Sequence, residues 1–466
     1  MRSSVFVKSP VFYCRVLMVA LPVAFQQLIT VGVNMMDTIM LGELGELPLS
    51  GSALATQVFN LFHFMCMGMG MGASVLTARF WGAQDLPNLR RSITILYRFC
   101  LGIASVFTML ALAFPAQLMR LFTGDEAIIR EGAAYFQVFW PCFLLYGFSM
   151  TTTLVLRSSR QMRVPMLSSI GAFFLNIFFN WVFIFGKLGM PRLEIRGAAL
   201  GTLISRLFEA VVICGYFWVK DRRIAYRPRD FFDNCRDLMP EYVRIGLPVL
   251  ISDTLLGLGN SMVSVVMGHM GAAFVAANSI TSVTQQLSTV FTSGIGQAAA
   301  ILTGNTLGEG KVEQARSQGY TFAAMGAIIG AVCSAMIWLI SGPVVNAYNI
   351  APETGEIALE LMHSVAIMTF FLCLNSILTK GVLRGGGDTR FLMVADVLFL
   401  WVVSVPLGAA AGLLWHLPAF WVNFCLKCDN LIKAVLSLAR LRSGKWIKKI
   451  SASSAAPAKG RSCRGG

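Results

Sequence analysis

Apolar stretches long enough to cross a membrane recur along almost the whole chain. A membrane-spanning helix needs about 20 largely apolar residues. The pattern predicts twelve such spans, at residues 14–41, 49–78, 92–115, 128–154, 164–186, 197–218, 242–268, 272–303, 318–341, 357–381, 391–413 and 417–439. Backbone inside lipid must satisfy its own hydrogen bonds, and the sequence has no ten-residue segments of strand-like alternation. We therefore predict an all-α membrane protein.

The composition agrees with this class. Of the 466 residues, 56% are hydrophobic and only 13% are charged, whereas a soluble domain carries about 25% charged residues. Soluble and disordered classes are therefore excluded. The eleven cysteines are scattered, mostly inside apolar stretches, which favours core packing over a disulfide framework. Cys425 and Cys428 form a lone CxxC without a second pair, so we predict no metal site and no bound cofactor.

The distribution of basic residues predicts the orientation. With the N-terminus inside, 28 of the 38 Lys and Arg residues lie on the cytoplasmic side and five on the other. Because cytoplasmic loops are rich in Lys and Arg, we expect both termini in the cytoplasm of a bacterium, with the chain in its plasma membrane. The cytoplasmic set includes Arg157, Lys380 and Arg384, which we place in loops. The net charge of +15 then reflects topology and contact with membrane lipids, and no nucleic acid partner is expected.

The chain contains an internal repeat. With a shift of 226 residues, residues 21–90 align with 247–316 without a gap. Each half holds six predicted spans, so both halves have the same orientation and are related by an axis along the membrane normal, as in secondary transporters. We predict two six-helix bundles related by pseudo-two-fold symmetry around a central cleft. The expected divisions are an N-terminal bundle at 1–219, a cytoplasmic linker at 220–241, a C-terminal bundle at 242–441 and a basic tail at 442–466.

Several motifs, in their order, resemble the multidrug and toxic compound extrusion (MATE) family. They are Asp37 with Leu41-Gly42-Glu43-Leu44-Gly45, then Gly197-Ala198-Ala199-Leu200-Gly201-Thr202, and Leu383-Arg384-Gly385-Gly386-Gly387-Asp388-Thr389-Arg390. The resemblance covers about residues 12 to 445. It implies an antiporter that exports amphipathic, often cationic organic compounds by alternating access, coupled to a proton or a sodium ion. We expect small organic substrates and a monomer.

Two other functions stay open. A lipid-linked oligosaccharide flippase of the same superfamily would be favoured by a cleft lined with several arginines, but nearly all arginines here are predicted in loops. A membrane-embedded lipid-modifying enzyme would need clustered acids or histidines at the cytoplasmic interface. The four histidines are far apart in the sequence, and no Walker motif is present. We therefore predict no catalytic residues and no enzymatic activity.

Ionisable residues inside spans are costly to insert, so each is a functional candidate. The acids in predicted spans are Asp37, Glu209, Asp253, Asp396 and Asp429. Glu209 follows Arg206 by three residues, and Asp429 precedes Lys433 by four. Both spacings predict ion pairs on one helical face.

Asp37 differs because no basic residue lies within four positions and its counterpart in the repeat is Val263. A lone carboxylate in a span can bind and release the coupling ion. The alternative is an acid at the membrane interface, since the span ends near Gly42. Asp253 is the second choice for coupling, and Asp396 is expected to pair with Arg390.

Two asparagines of the fifth span, Asn176 and Asn180, lie four residues apart on one helical face. The resemblance implies a cation site in the N-terminal half formed by Asp37, Asn176, Asn180 and Thr202, with Asn34 nearby. Some relatives have aspartate in place of Asn180, and one charge fewer favours a proton over sodium. The alternative for the asparagines is hydrogen bonding between helices.

The second span contains Gly68-Met69-Gly70-Met71-Gly72, whose small residues allow helices to approach closely. Methionine and aromatic side chains nearby could form a polarizable wall for flat organic molecules. The substrate-contacting residues predicted on this basis are Phe59, Phe62, Phe64, Met65 and Met69. The alternative is ordinary core packing.

Overall fold

The computed structural model describes residues 6–347 and 352–448, so most of the predicted basic tail lies outside the described residues. The described chain is helical and contains no strand, which confirms the all-α prediction. Its twelve long helices are α1 (Pro10–Gly42), α2 (Glu46–Gly82), α3 (Leu86–Ala113), α4 (Glu126–Phe139 and Pro141–Ser158), α5 (Arg163–Phe185), α6 (Glu194–Lys220), α7 (Met239–His269), α8 (Ala272–Gly308), α9 (Val312–Ala347), α10 (Pro352–Leu383), α11 (Thr389–Leu414) and α12 (Ala419–Ser443).

Most of these helices suit a membrane. Within the described residues, nine are long and apolar enough to cross it, or ten if the two parts of α4 form one span. The parts of α4 meet at an angle of 56°, next to Pro141, whose ring cannot donate a backbone hydrogen bond. The two remaining helices are more polar: α8 is rich in Ser, Thr, Asn and Gln, and α12 carries charged residues.

Two ends of the helix assembly can be distinguished by their loops. We call the end where α1 begins and α12 ends the basic end. It also carries the loops at 83–85, 159–162, 309–311 and 386–388 and the segment 221–238 that joins α6 to α7. The loops at 43–45, 186–193 and 270–271 lie at the opposite end.

The two halves of the chain pack tightly at the basic end. A Cβ added to Gly68 would lie 2.7 Å from the Cα of Leu250, and one added to Gly72 would lie 2.5 Å from the Cα of Gly246. Helices α2 and α7 therefore touch backbone to backbone, which confirms the close approach predicted from the glycine spacing. Nearer the loops, Gly82 packs against the backbone of α8 in the same way.

Further contacts reinforce this closure. The Arg79 guanidinium of α2 donates to the carbonyl oxygen of Lys448 at 2.5 Å and to that of Gly386. Trp446 is completely buried and packs on Gly386. Asp388 accepts a hydrogen bond from Arg440 at 2.7 Å. The segment after α12 and the loop after α10 thus form a polar cap over the end of α2.

The segment between the halves lies along α3. The Arg98 guanidinium donates to the carbonyl oxygen of Phe231 at 2.5 Å, and the Thr94 hydroxyl donates to that of Asp230 at 2.9 Å. Tyr226 is buried here, and burial raises its pKa to about 12. Apart from the short helix Pro228–Phe232, this segment is largely irregular and is held by side-chain contacts to the N-terminal half.

Candidate functional site

A chain of hydrogen bonds connects α1, α5 and α6 inside the N-terminal half. The Asn180 amide nitrogen donates to Asp37 Oδ1 at 2.5 Å and lies 3.4 Å from Asn176 Oδ1. The Asn176 amide nitrogen in turn donates to Thr202 Oγ1 at 3.3 Å. We call these four residues the Asp37 cluster. The structure therefore brings together four of the five residues predicted for the coupling site.

The Asp37 cluster combines one carboxylate with neutral polar groups. Among the described residues, Asp37 forms a hydrogen bond to Asn180 and no ion pair. Asn176 and Asn180 are 1% and 0% exposed. The Asn180 Oδ1 atom is buried without a hydrogen-bond partner, and it lies where a side chain on Gly201 would collide with it. A buried acceptor left unpaired is unusual and can serve a proton or a cation.

Asn34 is the predicted site residue that lies elsewhere. Its side chain is exposed and lines a cavity in the N-terminal half, one helical turn from Asp37. It contributes no side-chain hydrogen bond to the Asp37 cluster, and Thr38 bonds only to its backbone oxygen.

Three adjoining cavities form a continuous cleft where the halves meet. The N-half cavity has a volume of about 200 Å³, the middle cavity about 250 Å³ and the C-half cavity about 120 Å³. His63 and Met67 line both the N-half and the middle cavity. Asn260 and Lys380 line both the middle and the C-half cavity. The charged lining residues of the three are Arg157, Arg206, Glu209, Asp253, Lys380, Arg384, Asp396, Lys427, Asp429 and Lys433.

In the N-half cavity, Arg206 forms an ion pair with Glu209 at 2.8 Å, as predicted. Its guanidinium carbon also lies 5.2 Å from the centre of the Tyr146 ring, in a cation–π contact. The Tyr146 hydroxyl lies 2.5 Å from His63 Nδ1. A basic, an acidic and two aromatic side chains thus form one connected polar wall.

Arg157 is placed differently from the prediction. It lies within α4 and not in a loop. Its side chain is 8% exposed and lines the N-half cavity. Its guanidinium donates to Gln26 Oε1 at 2.5 Å and to Gln297 Oε1 at 2.9 Å, and it pairs with no carboxylate among the described residues. The amide oxygens of α1 and α8 replace water around the charge, which is why this arginine is stable inside the helix assembly.

Arg384 was also predicted in a loop, and that prediction is wrong. It follows α10, is 3% exposed and pairs with both carboxylate oxygens of Asp253, at 2.8 and 3.2 Å. The pair neutralises the charge of Asp253, which does not favour the second-choice coupling role for this acid.

Lys380 lies one turn before Arg384, where α10 changes to wider π-helical winding over Ile377–Leu383. Such segments often occur at functional sites. Its side chain is exposed, within the middle and C-half cavities, and not in the predicted loop. Among the described residues it has no ion-pair partner.

The C-half cavity is bordered by a buried triad. Lys433 lies 2.7 Å from Asp429 and 3.2 Å from Asp396. The first contact confirms the predicted pair, whereas the prediction that Asp396 pairs with Arg390 is wrong. Asp396 also accepts from the Ser252 hydroxyl at 2.6 Å. Lys433 of α12 takes the place predicted for Arg390, which lies in the first turn of α11, because the buried carboxylate needs a charged partner close by.

The predicted aromatic and methionine wall is only partly in the cleft. Phe59 lines the N-half cavity and Phe64 the middle cavity. Phe62 is completely buried, with its ring centre 5.1 Å from that of Phe143, and Met69 is also a core residue. For these two the alternative of core packing is correct. Met65 is partly buried and lines none of the three cavities.

Arg157, Lys380 and Arg384 were not predicted in the cleft because charge counting assigned them to loops. The internal repeat contained a usable signal. With a shift of 227 residues, Arg157 aligns with Arg384 and Arg206 with Lys433. Basic residues at equivalent positions in both halves are expected to face the same internal surface.

An assembly of long apolar helices in two sets around a polar internal cleft is typical of secondary transporters. The MatE family model matches the chain twice, at residues 22–182 and 248–410, and the two matches begin 226 residues apart, the shift of the internal repeat. The chain therefore belongs to the MatE family, whose members are multi-pass membrane transporters and not enzymes.

Individual relatives extend over nearly the whole chain. It is 26% identical to the probable multidrug resistance protein NorM of Thermotoga maritima, over 92% of each chain. It also resembles a solved outward-facing multidrug resistance MATE family transporter of the MOP superfamily, with TM-score 0.84, 20% identity and coverage of 94% and 96%. A Pyrococcus furiosus MOP superfamily transporter, described as having a binding pocket of reverse polarity, gives TM-score 0.83, 20% identity and coverage of 94% and 96%. These structural likenesses support the fold.

Proposed function

We propose that the protein exports amphipathic organic compounds in exchange for a proton or a sodium ion, by alternating access. The observation that carries this proposal is the Asp37 cluster, a single carboxylate held by amides beside the cleft. The multidrug resistance named for the Thermotoga maritima relative supports export as the activity. In this proposal the protein lies in a bacterial plasma membrane, with its basic end and both termini in the cytoplasm.

Coupling follows from the chemistry of the Asp37–Asn180 hydrogen bond. The ionised carboxylate accepts from the Asn180 amide nitrogen. A protonated carboxyl gains an O–H donor while its other oxygen can still accept, and the unpaired Asn180 Oδ1 is an acceptor available to it among the described residues. Binding a proton therefore changes the contact between α1 and α5. An ion drives a conformational change only by differing in affinity for the two states, and this contact supplies such a difference.

Sodium is the other candidate for the same position. The carboxylate of Asp37, the two asparagine carbonyl groups and the Thr202 hydroxyl provide the oxygen ligands that a hard cation requires. Only one of these groups carries a full negative charge. We therefore favour the proton.

The closed basic end defines which state the structure represents in this proposal. The backbone contacts between α2 and α7 and the cap around Arg79 block passage toward the basic end. If that end is cytoplasmic, the described state has its inner gate closed. Export then requires a second state in which the contacts at Gly68 and Gly72 separate.

The charge of the cleft does not favour the expected preference for cationic compounds. Six basic and four acidic side chains line the three cavities. The expectation of cationic substrates came from the family resemblance, whereas Arg157, Arg206 and Arg384 line the cleft.

The same observation favours a second candidate, a flippase for lipid-linked oligosaccharides. A cleft lined with several arginines would favour a flippase, and Arg157, Arg206 and Arg384 line the cavities. Two of them, however, are neutralised by Glu209 and Asp253. A lipid-linked oligosaccharide carries a phosphate-containing linkage that would need unpaired arginines, and among the three only Arg157 has no carboxylate partner among the described residues. Export of smaller amphipathic compounds therefore remains the first proposal.

The export proposal is tested by Asp37→Asn, which keeps the shape of the side chain and removes its titration. We expect a folded protein that still binds substrate but no longer transports it against a gradient. Proteoliposomes with an imposed proton or sodium gradient, monitored with a fluorescent substrate, measure this directly. The matched control is Glu43→Gln, an exposed acid just beyond the end of α1. Gradient-driven transport by Asp37→Asn at the parental rate would exclude the Asp37 cluster as the coupling site.

A further inference from the structure

Most charges in the middle and C-half cavities cancel in pairs, and the remainder is positive. Arg384 neutralises Asp253. Lys433 lies between Asp396 and Asp429, which leaves one negative charge in that triad. The other two charged lining residues, Lys380 and Lys427, have no ion-pair partner among the described residues. One of these lysines balances the triad and the other is in excess.

Lys380 is the lysine best placed to contact a ligand. It lines both the middle and the C-half cavity, and its side chain is exposed there, whereas Lys427 is partly buried beside Asp429. Its ammonium group has no hydrogen-bond partner among the described residues. The neutral polar residues Asn260 and Ser376 line the same two cavities. An ammonium group facing a cavity with low-dielectric walls attracts anions strongly and repels cations.

The N-terminal half adds a second positive charge next to the middle cavity. Arg157 is held by amide oxygens and by no carboxylate among the described residues. One of its partners, Gln297, also lines the middle cavity. The middle cavity therefore lies between an unpaired lysine of the C-terminal half and an arginine of the N-terminal half that is separated from it by one glutamine.

Part of the wall of the middle cavity is apolar, beside polar residues such as Gln27, His63 and Ser293. Phe64, Met67, Met71 and Leu256 line it. A volume of about 250 Å³ accommodates part of an organic ligand that places a flat apolar body against these side chains and a charged group at Lys380. Methionine and phenylalanine contribute contact area without selecting a particular shape.

We propose that the middle cavity binds the anionic group of an amphipathic organic anion, such as an aromatic carboxylate or sulfonate, through Lys380. This inference rests on the proposed export function and specifies its substrate class. A phosphate group on a membrane lipid offers the same anionic chemistry. We commit to the soluble anion because the apolar wall consists of four side chains, one of them the ring of Phe64, and is too short for a polyprenyl chain.

The first test measures binding to purified, detergent-solubilised protein without any ion gradient. The probes are carboxyfluorescein, an anionic xanthene dye, and rhodamine 123, a cationic dye with the same ring system. We expect carboxyfluorescein to bind and Lys380→Gln to weaken its binding about tenfold or more, since a charge-assisted hydrogen bond is lost. Lys380→Arg keeps the charge and should retain binding. Lys187→Gln, an exposed lysine outside the three cavities, should have no effect.

The proposal is overturned if rhodamine 123 binds more tightly than carboxyfluorescein, or if Lys380→Gln leaves carboxyfluorescein binding unchanged. It is also overturned if polyprenyl phosphate in lipid nanodiscs binds in a Lys380-dependent manner while carboxyfluorescein does not. Transport in proteoliposomes is measured in parallel. Lys380-dependent binding without gradient-driven transport supports the anion site and contradicts the export proposal, so the two failures can be told apart.

Discussion

The two halves of the protein each bury carboxylates in their helices, but they surround them differently. In the N-terminal half, Asp37 is held by the Asn180 amide and by no cation at ion-pair distance among the described residues. In the C-terminal half, Asp396 and Asp429 share Lys433 at 3.2 and 2.7 Å. Val263 occupies the position equivalent to Asp37 in the repeat, so the difference is already present in the sequence.

The comparison shows how the same residue type can serve stability or coupling. A carboxylate at ion-pair distance from a buried lysine is favoured in its charged form, because neutralising it removes that ion pair. A carboxylate bonded to neutral amides can change its charge at much lower cost, because an amide can rotate from donor to acceptor. Ion coupling is therefore expected in the half that lacks the lysine, and structural support in the half that has it.

The largest effect is expected when the C-terminal triad is broken. Lys433→Met leaves two buried carboxylates without a cation, which should cost about 3–5 kcal/mol of the free energy of unfolding. Thermal unfolding in detergent, together with the yield of folded protein, measures this loss. The triple variant Lys433→Met, Asp396→Asn, Asp429→Asn removes the charges together and should recover most of the stability. A single variant as stable as the parent would show that the triad carries no structural role.

An intermediate effect is expected when the N-terminal cluster is given a second carboxylate. Asn180→Asp places two acids side by side and should create sodium-dependent stability, about 2.7 kcal/mol at a sodium concentration 100 times the dissociation constant. The control is Asn430→Asp, which adds an acid beside Asp429, where lysines already balance the charge. Unfolding temperatures in sodium and in choline salts compare the two. Equal sodium dependence in both variants would remove the distinction between the halves.

The smallest effect is expected at the end of the hydrogen-bond chain. Thr202→Val keeps the side-chain shape but removes the oxygen that accepts from the Asn176 amide. Its loss should cost about 1 kcal/mol, the typical net contribution of one hydrogen bond. Thr202→Ser restores the acceptor and serves as the control. If Thr202→Val abolished transport while stability stayed at the parental value, the hydroxyl would be a direct ion ligand.

Helix number and type were predictable because they depend on local hydropathy. Each of the twelve predicted windows corresponds to one long helix; most helices extend beyond their windows, and three windows pass a helix end by one or two residues. Residues 49–78, for example, form the apolar part of Glu46–Gly82. The break at Pro141 and the π-helical winding of α10 were not predicted, since both leave the apolar pattern intact while changing how the backbone packs.

The Asp37 cluster was predictable from spacing and resemblance, because its asparagines lie on one face of one helix and its acid has no basic neighbour in sequence. The positive charge of the cleft was not predictable in this way. Arg157 and Arg384 lie at the ends of apolar stretches, where hydropathy and charge counting treat every basic residue as a loop residue. Their side chains instead turn inward to Gln26, Gln297 and Asp253, which are far away in the sequence.

The sequence by itself determined the membrane class, the twelve helices, the repeat and the solitary acid, because each of these is a local property or a comparison of the chain with itself. Only the tertiary structure decided which charges are neutralised and which face the cleft. The physical reason is that the cost of burying a charge depends on partners brought by other helices, and those partners are defined only when the two halves pack together.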